Sequence, residues 1–122
     1  MGGLGAEVTV PENPARHEVP FYVDVHPERE VVRVVPVGEL DLATAGRLEQ
    51  QLDELHSAGF EQIVLDMREL TFIDSSGIRV VVAEHRFADR SDHGFSLISG
   101  PPAIQRALEV CGLLGLLHVD TT

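Results

Sequence analysis

The sequence predicts an α/β fold: a mixed, mostly parallel sheet, opened by an antiparallel hairpin, with helices packed on it. Three observations carry that prediction. Two strand-like runs, Val19 to His26 and Val31 to Val37, face each other across the turn-rich quartet Pro27, Glu28, Arg29, Glu30. The apolar spacing then changes to every third or fourth residue, in Leu42, Ala45, Leu48, Leu52 and Leu55. Beyond that point short apolar runs alternate with helical stretches, as crossover connections between parallel strands require. With 122 residues, 43% of them hydrophobic, the chain suffices for one domain with a packed core.

Each element has its own signal. Residues 1–18 mix glycine, proline and polar side chains around the short patch Val8, Thr9, Val10, and read as a flexible arm ahead of a domain over 19–122. The first helix takes a cap from Asp41 or Thr44 and is closed by Gly59. Ile63, Val64 and Leu65, ending at Asp66, read as a strand buried on both faces. A second helix starts at Ser75 and Ser76 and sets Ile78, Val81, Val82 and His85 on one side. The β-branched Val80, Val81 and Val82 favour a strand locally, but a strand there leaves no crossover before Phe95 to Ser99. A third helix from Pro101 carries Ile104, Ala107, Leu108 and Cys111 inward, and Leu113 to Val119 completes the core.

Charge excludes several classes of function. Twenty acidic residues against nine basic ones give a net charge of -11, which repels phosphate backbones and anionic lipid, so neither nucleic acid nor membrane is an expected partner. All nine basic residues are arginine. Without lysine there is no Schiff base, no Walker A lysine and no receiver-domain lysine to accompany Asp66, which is left as a structural strand-end carboxylate. Cys111, the only cysteine, has no disulfide partner and reads as a small buried hydrophobe. No apolar run approaches the roughly 18 residues of a membrane span, and Met1 to Gly5 lacks the features of a secretory leader, so the cytoplasm is the expected location.

Sites on parallel sheets gather where strands hand over to helices, here at Gly38 to Asp41, Asp74 to Gly77 and Ser99 to Pro102. The second turn is the richest. Its two adjacent hydroxyls suit helix capping, the bland role of serine in such a place. The surrounding blocks point further: Val37-Gly38-Glu39-Leu40-Asp41, Ile63-Val64-Leu65-Asp66, Phe72-Ile73-Asp74-Ser75-Ser76-Gly77-Ile78 and Val110-Cys111-Gly112-Leu113. In these four ordered blocks, across Val19 to Val119, the chain resembles STAS-domain proteins of the anti-sigma factor antagonist (anti-anti-sigma factor) family.

The resemblance implies a protein-binding regulator rather than an enzyme, working without a cofactor or metal. It makes Ser75 the residue phosphorylated by a partner that is both serine kinase and anti-sigma factor, with Ser76 as a supporting hydroxyl and Asp41 beside it on the neighbouring turn. Asp41, Asp74, Ser75, Ser76 and Gly77 then form the partner-binding surface. The unphosphorylated form binds the anti-sigma factor and frees the sigma factor to activate transcription, until phosphorylation ends the contact and a serine phosphatase restores it. Arg79 stands where members often carry a small residue.

Other readings compete. A scaffold or transport-complex subunit has the same fold and binds proteins without sigma-factor switching. A hydrolase elbow of the form G-x-S-x-G fails at Ile73, a β-branched residue where the tight turn needs glycine. His85, Asp89, Asp92 and His93 offer metal-ligand side chains, but Arg86 and Arg90 interleave with them and oppose a divalent ion.

Overall fold

The structure is a computed structural model that describes residues 20–112 and the backbone of 118–120. The arm over 1–18, most of the segment Leu113 to Val119 and the side chain of His118 lie outside the described residues. The elements run Tyr22–Glu28 (β1), Val31–Leu40 (β2), Ala45–Ser57 (α1), Gln62–Asp66 (β3), Leu70–Ile73 (β4), Ser75–Ser91 (α2), Gly94–Ile98 (β5), Pro102–Val110 (α3) and His118–Asp120 (β6).

The hairpin is antiparallel, with Glu28 opposite Val31, so the turn has shrunk from the expected quartet to Arg29 and Glu30. Arg29 takes a φ of 65°, as a two-residue hairpin turn demands. Pro27 is consequently inside β1, which among the described residues is an edge strand, where its missing N–H costs the sheet little. The other pairings are parallel, in the order β1-β2-β3-β5-β6. Sequence reading did not find β4, a four-residue strand that pairs with the far end of β2. β2 lies against β3 through Val31 to Val34 and against β4 through Gly38 to Leu40. Pro36 occupies the interval between these two ladders.

The core is built where sheet and helices meet. Val32 and Val34 from β2, Ile63 and Leu65 from β3 and Leu97 from β5 pack with Leu48, Leu52 and Leu55 of α1, Val81 of α2, and Ile104 and Leu108 of α3. Val64 is only half-buried, so β3 keeps the alternation of a sheet with one well-covered face, against the expectation of a strand buried on both. In α2 the deep residues are Gly77, Val80, Val81, Glu84 and Ala88, whereas Ile78, Val82 and His85 are half-buried on its flank. Glu84 is tolerated there because its carboxylate lies 2.8 Å from His56 Nε2, joining α2 to α1. Cys111 is exposed just past α3, not buried as expected: the helix ends one residue earlier.

Leu42 fits the spacing of α1 but is not part of it, and its side chain is 83% exposed. Gly59 closes α1 as expected. It adopts a φ of 97°, its N–H donates to the His56 carbonyl at 3.0 Å, and the Phe60 N–H donates to the Leu55 carbonyl at 3.1 Å.

Asp66 holds the end of β3. Its carboxylate accepts from the Arg68 backbone N–H, from Arg68 Nε and Nη2 at 3.0 and 2.8 Å, and from Arg33 Nη1 at 3.2 Å. Burial alone raises the carboxyl pKa, but the hydrogen bonds and charge of Arg68, with Arg33, outweigh it and hold the group below its ordinary value. A depressed folded-state pKa stabilises the domain above the unfolded carboxylate range, and this contribution fades as pH falls through the folded value. Asp66→Asn is therefore expected to cost about 1–3 kcal/mol near neutral pH. Denaturant titrations at a series of pH values should find the gap between variant and parent closing under acid.

Candidate functional site

The site is a pair of neighbouring turns at the ends of β2 and β4. Leu40 pairs with Ile73, and the Asp74 N–H donates to the Leu40 carbonyl at 3.1 Å, so the segments leaving the two strands start side by side. One continues as Asp41 to Thr44, the other as Asp74 to Gly77.

On the second turn, Asp74 is the residue that caps α2. It has extended backbone, and its Oδ1 accepts from the Ser76 N–H at 2.8 Å and the Gly77 N–H at 3.3 Å. The serines thus do not play the capping role that adjacent hydroxyls at a helix start usually play. Ser75, the first residue of the helix, is exposed, and Ser76 is half-buried. Gly77 is buried for lack of space: a Cβ there would lie 2.7 Å from Leu40 Cγ and 2.9 Å from Ile73 Cγ1. Asp74→Ala should cost about 0.5–2 kcal/mol through the lost cap, with fraying at Ser75 and Ser76 measurable as faster amide exchange in the first turn of α2.

The first turn is tied by Asp41 and Thr44. Asp41 Oδ1 accepts from the Ala43 N–H at 3.0 Å and lies 3.2 Å from Thr44 Oγ1, which itself accepts from the Asp41 N–H at 2.9 Å. Thr44 Oγ1 donates to the Glu39 carbonyl at 2.7 Å. These bonds postpone α1 to Ala45. Thr44 precedes the helix but makes no side-chain cap bond to it, contrary to the expected capping by Asp41 or Thr44. Asp41 is buried in this network, while Leu42 stands out at the tip of the turn.

The predicted residues Asp41, Asp74, Ser75, Ser76 and Gly77 therefore meet on adjoining turns. The residues His85, Asp89, Asp92 and His93 do not converge. His93 packs edge-on to Phe87 with centroids 5.5 Å apart and faces His56, whereas His85 lies about 200° round α2 from Phe87 at 100° per residue. Among the described residues no three such side chains are placed to hold a metal ion, and no helix is long and apolar enough to cross a membrane.

This arrangement of strands and paired turns defines a class. The STAS domain model matches residues 22–122, and the chain belongs to the STAS domain family. It is similar to the anti-sigma F factor antagonist of Paenibacillus polymyxa, 28% identical over 98 residues that cover 80% of this chain and 84% of that protein. An anti-sigma factor antagonist from Mycobacterium paratuberculosis superimposes with a TM-score of 0.75 at 24% identity, over 84% of this chain and 87% of the other. The anti-sigma factor antagonist SpoIIAA in its unphosphorylated form superimposes with a TM-score of 0.68 at 22% identity, over 84% of this chain and 89% of the other.

Proposed function

We propose that this protein is an anti-sigma factor antagonist switched by phosphorylation of Ser75. Unphosphorylated, it binds an anti-sigma factor that is also a serine kinase and so releases a sigma factor; phosphorylated, it lets go until a serine phosphatase resets it. The observation that carries this reading is the exposed hydroxyl of Ser75 on a helix whose capping is already supplied by Asp74. The hydroxyl is spare, and a kinase can reach it. The names of the relatives support the same role.

In the transfer step, Ser75 Oγ forms a bond to the γ-phosphorus of ATP as the bond to the ADP oxygen breaks, and the hydroxyl proton passes to a base of the kinase. The other residues prepare the surface. Asp74 fixes the start of the helix, Gly77 lets it sit against Leu40, and Asp41 shapes the neighbouring turn that presents Leu42. The incoming phosphate carries about -1.5 to -2 charges and meets the positive end of the α2 dipole, so the domain itself tolerates it.

The test is incubation with ATP and candidate serine kinases of the anti-sigma class, followed by mass-spectrometric mapping. Phosphate on Ser75, lost in Ser75→Ala, is the expected result. Modification only at other residues, by a kinase that binds the protein, overturns the reading.

A further inference from the structure

The outward side of α2 carries three arginines in a strongly acidic chain, with the exposed Asp89 at its far end, ten positions beyond Arg79. At 100° per residue, Ser75, Arg79, Arg86 and Arg90 fall within about 60° of one another, opposite the buried Gly77, Val81 and Glu84. Arg79 is exposed and directly follows Ser75 on this crest, one turn or about 6 Å further along the axis. Its helical neighbours three and four positions away are Ser75, Ser76, Val82 and Ala83, none of them acidic. Among the described residues Arg79 takes part in no ion pair, in contrast to Arg33 and Arg68. Helix side chains lean toward the N-terminus, so a long side chain at 79 lies back over position 75.

We propose that Arg79 is the phosphate clamp of this protein: its guanidinium holds the phosphoserine formed at Ser75 in a charge-assisted pair across one turn of α2. The proposal rests on the reading of Ser75 as the phosphoacceptor and adds the residue that governs the modified state. An anion four positions before a cation is the favourable order on a helix, and a phosphate dianion is a stronger partner for guanidinium than a carboxylate. The need is local. Asp74 directly precedes the phosphate and Asp41 lies on the adjoining turn, so two carboxylates oppose the new charge, and Arg79 is the cation one turn away that offsets them. Arg86 and Arg90 are two and three turns further down and do not reach the phosphate.

Protein carrying phosphoserine at 75, installed during translation, allows a direct measurement by phosphorus NMR titration. The second phosphate ionisation, ordinarily near pH 6, should lie about 0.2–0.4 lower in the parent than in Arg79→Gln. Arg79→Lys should restore part of the difference. Arg86→Gln loses the same charge about 16 Å along the helix from position 75, well beyond a Debye length of about 8 Å at physiological salt, and should leave the titration unchanged. Equal values in the parent and Arg79→Gln, or an equal shift in Arg86→Gln, overturn the clamp. Melting of the unphosphorylated variants confirms that each is folded. Modification only at residues other than Ser75, by a kinase that binds the protein, would overturn the functional reading instead, and leaves this titration to decide the clamp by itself.

Discussion

Ser75→Asp is expected to bind the kinase that modifies the parent protein on the order of 100-fold more weakly than the parent does, while Ser75→Ala keeps nearly full affinity. A kinase that phosphorylates Ser75 must hold the terminal phosphates of its nucleotide against the Ser75 hydroxyl. An anion at position 75 therefore docks against nucleotide phosphate, and docking also strips water from Asp74 beside it. At an effective dielectric near 20, one like-charge contact about 4–6 Å away costs roughly 3–4 kcal/mol, which sets the size of the effect. The domain escapes the same penalty, because in the free protein the charge is solvated and sits at the positive end of α2. Calorimetry of the three proteins against the nucleotide-bound kinase decides the matter. Equal affinities for Ser75→Asp and the parent would show that charge at this turn does not govern association, and would remove the basis of the switch.

Local pattern made much of the architecture readable, and long-range contact hid the rest. The period change after Asp41, the stop at Gly59 and the strand ending at Asp66 are properties of neighbouring residues, and each reappears in the structure. Leu42 misled because its spacing suits α1, whereas the hydrogen bonds of Asp41 and Thr44 delay the helix by three residues. β4 is too short to show a period, and only pairing with the end of β2 makes Leu70 to Ile73 a strand. The turn before α2 was legible as a place but not as a division of labour. Any of Asp74, Ser75 and Ser76 is a competent cap, and the structure gives the role to Asp74, leaving Ser75 outside the capping bonds. Glu84 in the interior was unreadable for a different reason: its partner His56 is 28 positions away on another helix.

Gly100→Ala should be the most damaging of the small substitutions, although no predicted site residue is touched. Gly100 follows β5 with a φ of 78°, where an added Cβ would lie 2.4 Å from the Met67 carbonyl oxygen and 2.9 Å from Arg68 Cα. Both obstacles are backbone, so no rotamer change relieves them. The left-handed conformation costs an alanine about 1–2 kcal/mol, and forcing the two chain segments apart adds roughly 1–3 kcal/mol. Met67 is itself fixed, since its N–H donates to the Ile98 carbonyl at 2.9 Å and its side chain is fully buried. The displacement would also pass to Arg68 and through it to Asp66 at the end of β3. A loss of about 3–4 kcal/mol is a large share of the stability of a small domain and should lower the melting temperature by at least about 10 °C. Gly46→Ala is the matched control: that glycine lies in α1 with nothing within 4 Å of an added Cβ, and alanine should stabilise the helix by about 0.5–1 kcal/mol. Thermal melts of the two variants should therefore move in opposite directions. A Gly100→Ala protein that melts with the parent would mean that the β5–α3 turn yields freely, and that the junction with Met67 and Arg68 does not hold the strand ends in place.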